Sequence, residues 1–229
     1  MTALSPIIVF DLDGTLADTV PDLIGVLNAQ LERDGHAPVP LAAARALVGA
    51  GARALIERGY GAREGAPPGG DRLDALVADF LLRYEARIAL ETRLFPGVEA
   101  ALTRFAQEGF ALAVCTNKPE RLARLLLSQL GVSERFAAIC GRDTFFTQKP
   151  DGRVLLLTID AARGDAARAL MVGDSKNDVD TARNAGAPVV AVDFGYTETP
   201  ARELGADRVI SHYDELWDAA RLALSAAAV

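Results

Sequence analysis

The chain has 229 residues, half of them apolar, and this composition is typical of one large globular domain or of a domain that carries an insert. The 24 Lys and Arg residues against 31 Asp and Glu residues give a formal net charge of −7, which argues against a nucleic-acid partner because such binding needs clustered basic residues. No apolar run reaches the ~18 residues of a membrane span, and the first residues lack the features of a signal peptide, so we expect a cytoplasmic protein that does not bind membranes.

The first predicted element is a buried strand, residues 7–10 with the sequence IIVF, which runs directly into Asp11 and Asp13. Two like charges at the end of a buried strand are costly unless another charged group compensates them. Along an extended chain, alternate side chains point to the same side. We therefore expect Asp11 and Asp13 to face one site, with a cation and a phosphate as the compensating groups.

The segment from about residue 19 to about residue 91 contains no predicted strand. Three stretches in it predict helices; in the last, over residues 71–90, apolar residues follow a 3.6-residue period. Residues 61–71, GAREGAPPGGD, predict a surface loop. Because a crossover between strands needs far fewer residues, we predict a helical cap domain over 18–91, inserted into a core of 1–17 and 92–229. The alternative is that these helices merely cover one face of the sheet.

After the insert, short apolar runs alternate with helical patterns. The runs occupy residues 110–115, 137–140, 169–173 and 189–192, with a further candidate at 208–210. Most lack polar alternation, which is typical of parallel strands covered on both faces. The predicted fold class is therefore α/β, a doubly wound parallel sheet of the Rossmann-like kind. Cys115 and Cys140 lie within these runs and are expected to be buried, reduced thiols.

Polar side chains follow several of the predicted strands at the same edge of the sheet. They are Asp11 and Asp13 after the first strand, Thr116, Asn117 and Lys118 after the second, and the sequence GDSKND at 173–178 after a later one. Lys149 lies in a loop on the same side. Because ligands bind beyond the carboxyl ends of parallel strands, we expect these groups to form one site.

The residue types at this edge suit phosphoryl chemistry. Carboxylates of Asp11, Asp13 and Asp174, with waters and a substrate phosphate, are the ligands that Mg²⁺ prefers. One carboxylate can attack phosphorus and form an aspartyl-phosphate, while its neighbour two residues on transfers protons. Thr116 can bind a phosphate oxygen, and the N–H groups of Gly14 and Asn117 can add donors. Lys149 offers a fixed positive charge to the transition state.

The motifs DLDGT, CTNK, QKP and GDSKND resemble, in order and spacing, those of the haloacid dehalogenase superfamily of phosphohydrolases. The resemblance covers nearly the whole chain, including a helical cap of the C1 type after the first motif. It implies that Asp11 is the nucleophile and a metal ligand. It also implies that Asp13 is the general acid and base and binds the metal through its backbone carbonyl, and that Lys149 steadies Asp11 and the phosphoryl group. An acid at position 13 favours hydrolysis or transfer of a phosphate ester.

The same resemblance implies roles for the later motifs. Thr116 and Asn117 hold the phosphoryl oxygens, and Asp174 is the third protein ligand of the Mg²⁺ ion. Asp178 would order the waters of the metal or nearby side chains. Lys118 and Lys176, which carry no implied role, are expected to point to solvent near the site.

The cap is expected to determine the substrate specificity. Gly49 and Gly51 form a G-x-G turn whose N–H groups can approach an anion, and Arg53 would add positive charge; the alternative is an ordinary helix–turn–helix connection. The turn, the insert and the sequence after residue 169 are similar to those of the phosphoglycolate phosphatases of this superfamily. That similarity implies Mg²⁺-dependent hydrolysis of 2-phosphoglycolate to glycolate and phosphate.

Other functions remain open from the sequence. A β-phosphoglucomutase-like sugar-phosphate mutase or a pyrophosphatase of the same architecture is the nearest alternative. A non-catalytic binding protein is less consistent with the presence of both Asp11 and Asp13. The expected partner is a small phosphorylated substrate, and the chain is expected to act as a monomer or a homodimer.

Overall fold

In the computed structural model, which describes residues 4–49, 51–197 and 199–227, six parallel strands form one sheet in the order β5-β4-β1-β6-β7-β8. The strands are β1 Ser5–Phe10, β2 Ala17–Asp18, β3 Arg93–Leu94, β4 Ala111–Cys115, β5 Ala138–Cys140, β6 Gly164–Gly173, β7 Val189–Val192 and β8 Arg208–Ile210. The helices are α1 Val20–Arg33, α2 Leu41–Ala44, α3 Gly51–Glu64, α4 Gly70–Ala86, α5 Val98–Gln107, α6 Glu120–Gln129, α7 Gly152–Ala161, α8 Lys176–Ala185 and α9 Leu216–Ala227. The predicted fold class is confirmed.

Strand β1 lies inside the sheet, between β4 and β6, and its alternate side chains enter two separate cores. Ile7 and Val9 pack with residues of α7 and α8 on one face. Ile8 and Phe10 pack on the other face with residues of α5, α6 and α9. A strand buried on both faces needs a continuous apolar sequence, which is why IIVF shows no polar alternation.

The structure extends one strand beyond its prediction. The apolar pattern marks only residues 169–173, whereas β6 begins at Gly164. Of the added residues 164–168, the last three are exposed, and the segment contains no continuous apolar run that would predict a buried strand. The two cysteines are buried and unpaired, as predicted.

A two-stranded antiparallel sheet, β2 with β3, lies where the chain leaves and re-enters the region of the parallel sheet. Ala17 pairs with Leu94 and Asp18 with Arg93. Strands of two residues are too short to produce a periodic pattern, so the sequence did not predict them. The division into a core and a cap over 18–91 stays a prediction, and this small sheet lies at its limits.

Between β2 and β3 the described residues are helical, with α1, α3 and α4 packed on one another. Leu27 of α1 is fully buried against the backbone of Gly59 in α3, where a methyl group in place of the hydrogen would lie 2.8 Å from Leu27 Cδ2. The predicted loop over 61–71 begins later than expected, because α3 continues to Glu64 and ends before Gly65, whose φ is 79°. No helix in the described residues is long and apolar enough to cross a membrane.

Candidate active site

A cleft lies between the carboxyl ends of β1 and β4 and the helices that follow β2. The sheet side contributes the polar lining: Asp11, Asp13, Thr116, Asn117, Lys118 and Lys149. The helical side contributes a mostly apolar lining that includes Leu23, Val48, Leu55, Phe80, Leu81 and Tyr84. The predicted convergence of polar residues from β1, β4 and the Lys149 loop is therefore present in the structure.

Asp11 lies at the base of the cleft and is 6% exposed. Its Oδ1 is 2.7 Å from Lys149 Nζ, which also donates to Asp178 Oδ1 at 2.6 Å. Burial raises the pKa of Asp11 to about 6, although the Lys149 ammonium opposes this change. Burial by itself lowers the pKa of Lys149, but the Asp11 and Asp178 carboxylates outweigh it and raise that pKa above its usual value. Lys149 therefore remains a buried cation beside Asp11.

Three buried carboxylates, from Asp11, Asp174 and Asp178, each place an oxygen within 4.8 Å of the others. Burial, reinforced by the neighbouring carboxylates of Asp178 and Asp11, raises the pKa of Asp174 well above its usual value. A hard divalent cation would remove this repulsion, and a set of clustered oxygen donors is what Mg²⁺ prefers. The residues present therefore fit the magnesium ion that the sequence implied.

Both carboxylate oxygens of Asp178 accept hydrogen bonds from neighbouring side chains or backbone. Its Oδ1 accepts from Lys149, and its Oδ2 accepts from the backbone N–H and the hydroxyl of Ser175, at 3.0 and 2.6 Å. The bond from the Ser175 backbone N–H is part of a capping box at the start of α8. Asp178 thus orients Lys149 and the turn that follows β6, in line with the supporting role predicted for it.

Asp174 is held in place by residues that the sequence analysis did not single out. The Tyr196 N–H donates to its Oδ2 at 2.6 Å, and the Thr15 hydroxyl donates to its Oδ1 at 3.4 Å. Gly195 packs so closely that a Cβ there would lie 2.2 Å from Asp174 Cβ. The Tyr196 hydroxyl donates to Asp18 at 2.6 Å and so ties this site to β2. In the sequence, the only local indication that Gly195 and Tyr196 belong to the site was their position in DFGY, directly after a predicted strand.

The carboxylate of Asp13 lies outside the group of three and is bound by Lys118. Lys118 Nζ donates to Asp13 Oδ1 and Oδ2 at 2.9 and 3.0 Å. The prediction that Lys118 points to solvent is wrong, since this residue is 7% exposed. The Asp13 side chain therefore does not join the carboxylate cluster, and its contribution to the metal through the backbone carbonyl stays a prediction.

The residues after β4 are arranged around the cleft as expected. The Thr116 hydroxyl accepts from the Lys118 N–H at 3.2 Å, and the Asn117 side-chain amide donates to the Lys149 carbonyl at 3.3 Å. The N–H of Gly14, which was expected to bind phosphate, donates instead to the Ala17 carbonyl at 3.0 Å. The tight turn after Asp13 uses that donor internally.

The structure separates the three candidate residues of the cap. Gly49 and Gly51 both line the cleft, and Gly51 begins α3. Ala50, between them, lies outside the described residues. Arg53 does not line the cleft: its guanidinium binds the exposed carboxylate of Asp74 in α4. Arg53 lies two residues beyond Gly51, about 200° around the helix, which turns its side chain away from the site.

The chain is similar to known proteins of one enzyme family. The family model described as haloacid dehalogenase-like hydrolase matches residues 8–192. Relatives named phosphoglycolate phosphatase include one from Mesorhizobium japonicum, 50% identical over 211 residues with 92% of each chain covered. Another, from Caulobacter vibrioides, is 48% identical over 206 residues and covers 90% of this chain and 86% of its own.

A solved structure has the same fold. The crystal structure of a predicted phosphoglycolate phosphatase from Haemophilus somnus superposes with a TM-score of 0.86, at 26% identity, covering 93% of this chain and 97% of the other. The resemblance inferred from the four motifs is thereby confirmed, as is the prediction that the chain is an enzyme. The chain belongs to the haloacid dehalogenase-like hydrolase family.

Proposed function

We propose that this enzyme hydrolyses 2-phosphoglycolate to glycolate and phosphate, with Mg²⁺ and through an aspartyl-phosphate intermediate. The observation that carries the proposal is the buried contact of Asp11 with Lys149 beside the Asp174 and Asp178 carboxylates, at the base of a cleft. The substrate is supported by the relatives named phosphoglycolate phosphatase, of which two are 50% and 48% identical to this chain.

In the first step a carboxylate oxygen of Asp11 attacks the phosphorus atom and forms a new P–O bond. The ester P–O bond breaks, and the departing glycolate oxygen takes a proton from the carboxyl group of Asp13. In the second step Asp13 removes a proton from water, whose oxygen attacks phosphorus. The bond to Asp11 then breaks, which releases phosphate and restores both carboxyl groups to their starting forms.

The remaining groups hold and neutralise the phosphoryl group. Lys149 places a positive charge beside Asp11, where negative charge builds up as five oxygens surround phosphorus. Thr116 and Asn117 line the same cleft and can orient phosphoryl oxygens. Asp11, Asp174 and the backbone of Asp13 would hold the Mg²⁺ ion, with Asp178 supporting them. The bound ion supplies the charge neutralisation that lets a carboxylate approach a phosphate dianion.

A cytoplasmic location and a monomeric or homodimeric state belong to this proposal as well.

A phosphate-release screen tests the proposal. The purified protein with Mg²⁺ is given phosphorylated acids, hexose phosphates, nucleotides and pyrophosphate, with Asp11→Asn as the inactive control. We expect 2-phosphoglycolate to have a kcat/KM at least about 10-fold above every other substrate. Isomerisation of a hexose 1-phosphate without phosphate release would indicate a mutase, and preference for pyrophosphate would indicate a pyrophosphatase. Either result would overturn the proposal.

A further inference from the structure

The hydroxyl of Tyr84, on α4, is a buried polar group that the reaction above does not use. Tyr84 is 1% exposed and lines the cleft, and its hydroxyl makes no well-aligned hydrogen bond within the described residues. Burial raises its pKa to about 12, although the nearby Lys118 ammonium opposes this change, so the hydroxyl keeps its proton and can donate. Buried polar groups are nearly always paired in proteins, so a donor left alone in a cleft indicates a ligand atom.

Lys118 approaches Tyr84 from the opposite wall. Its Nζ lies 4.7 Å from the centre of the Tyr84 ring. The same ammonium contacts both carboxylate oxygens of Asp13, at 2.9 and 3.0 Å. An ammonium paired with a carboxylate keeps its charge. Lys118 is therefore a positive group placed between Asp13 and Tyr84, at the seam between the two walls.

The lining of the cleft offers few cations to a second negative group on the substrate. Among the described residues that line it, the basic side chains are Lys118 and Lys149. Lys149 is held by Asp11 and Asp178 at the phosphoryl end. Arg53, the candidate from the sequence, is engaged with Asp74 outside the cleft.

We propose that Lys118 and Tyr84 together bind the carboxylate of the substrate. The Lys118 ammonium would contact the acid group from the side of the sheet, and the Tyr84 hydroxyl would contact it from α4. This inference rests on the proposed function and names the residues that select its substrate. Both groups are buried, which strengthens a charged hydrogen bond and penalises a ligand that leaves either group unpaired. An ester without a carboxylate would therefore be rejected even where its phosphate binds normally.

Two esters of matched size test the inference. In 2-hydroxyethyl phosphate a neutral CH₂OH group replaces the carboxylate of 2-phosphoglycolate. The quantity compared is the ratio of kcat/KM for the acid to kcat/KM for the neutral ester. Because Lys118 also contacts Asp13, Lys118→Met is expected to slow both esters, and the ratio removes that shared effect.

We expect Lys118→Met to lower the ratio roughly 10- to 100-fold, which is the range for losing a hydrogen bond to a charged group. Tyr84→Phe keeps the ring stacked on Phe80 and is expected to lower the ratio about 3- to 10-fold. Lys176→Met is the matched control, because Lys176 is exposed on α8 and pairs with Asp180. It should leave the ratio unchanged.

Equal losses on both esters in Lys118→Met, together with an unchanged ratio in Tyr84→Phe, would overturn the inference while leaving the proposed function intact. A fall in the ratio confined to Arg53→Met would also overturn it, in favour of the cap loop. If Lys118→Met does not fold, the ratio in Tyr84→Phe decides. A wild-type enzyme that releases no phosphate from 2-phosphoglycolate would defeat both proposals, and that outcome is visible before any variant is made.

Discussion

The carboxyl edge of the parallel sheet and the helices between β2 and β3 differ in how deeply their charged groups are buried. At the sheet edge the charged groups are buried and bound to one another, as Lys149 is to Asp11 and Asp178. Among the helices most of the ion pairs are on the surface, for example Asp79 with Arg33 and Arg83, although the buried Asp22 of α1 pairs with Arg87. Buried charges are costly to keep, so their concentration at one edge indicates chemistry, whereas the exposed pairs contribute little to stability.

This difference in burial indicates that the sheet edge and the helices have different roles. The sheet edge holds the groups proposed to react, and it is packed so closely that a Cβ at Gly14 or Gly195 would collide with Asp174. The helices offer an apolar wall with one unpaired hydroxyl, that of Tyr84. Changes at the edge should therefore remove turnover without unfolding, and most changes in the helices should lower stability without altering the chemistry.

The largest effect is expected from Asp11→Asn. Loss of the nucleophilic carboxylate should lower kcat by about 10³-fold or more. Because burial disfavours the charged form of Asp11, the free energy of unfolding measured without Mg²⁺ should stay the same or rise. Phosphate release and urea unfolding check the two parts. Near-normal release by this variant would remove Asp11 from the mechanism.

Removal of divalent ions comes next. Chelation by EDTA should reduce phosphate release to background, and added Mg²⁺ should restore it, since the clustered carboxylates need a cation to accept a phosphate. The melting temperature should rise with Mg²⁺ in the wild type, because a ligand of the folded state stabilises it. Asp174→Asn is the control that should weaken this rise. Phosphate release that continues unchanged in EDTA would contradict the proposed metal site.

Leu27→Ala tests the helices. Truncation of a fully buried leucine should lower the free energy of unfolding by about 2–5 kcal/mol. The kcat of the folded fraction should remain close to that of the wild type, since Leu27 does not line the cleft. Denaturant unfolding and activity at low temperature measure both quantities. A large loss of kcat in the folded enzyme would show that the two regions are not separable in this way.

Gly195→Ala is a packing change at the sheet edge. The new Cβ would lie 2.2 Å from Asp174 Cβ and so displace a predicted ligand. We expect Mg²⁺ activation to need a 10–100-fold higher ion concentration, roughly the cost of disturbing the supports of a metal ligand. Gly69→Ala is the matched control, because a Cβ there has no neighbour within 4 Å. Equal activation curves for the two variants would refute the prediction.

The smallest effect is expected from Asp79→Asn. The hydrogen bond from Arg83 lowers the pKa of Asp79 to about 2, although partial burial opposes this change. A carboxylate whose folded pKa lies below its ordinary 3.8 stabilises the fold above about pH 4 and loses that contribution as the pH falls towards 2. The variant should be less stable than the wild type by under ~1 kcal/mol at pH 7, and this difference should shrink towards pH 2. If the difference in unfolding free energy between the wild type and the variant instead grew as the pH fell, the predicted pH dependence would be wrong.

Much of the sheet edge was predictable because strand ends and the residues after them are encoded locally. Asp11, Thr116, Asn117 and Lys149 all line the expected cleft. The partner of Asp13 was not predictable, because Lys118 is 105 residues away and its side chain could equally have pointed to solvent. The prediction for Arg53 was wrong for a related reason. The position of a residue around its helix decides whether its side chain faces the cleft, and Arg53 faces Asp74 instead.

The sequence by itself determined the parallel sheet, the helical segment between β2 and β3 and the acidic residues at the strand ends. Apolar runs, helix punctuation and the spacing of DLDGT, CTNK, QKP and GDSKND are properties of neighbouring residues. Only the tertiary structure decided that Lys118 binds Asp13, that Tyr196 holds Asp174, and that the hydroxyl of Tyr84 is left unpaired in the cleft. These facts depend on which distant side chains meet when the helices close over the sheet, and no local pattern contains that information.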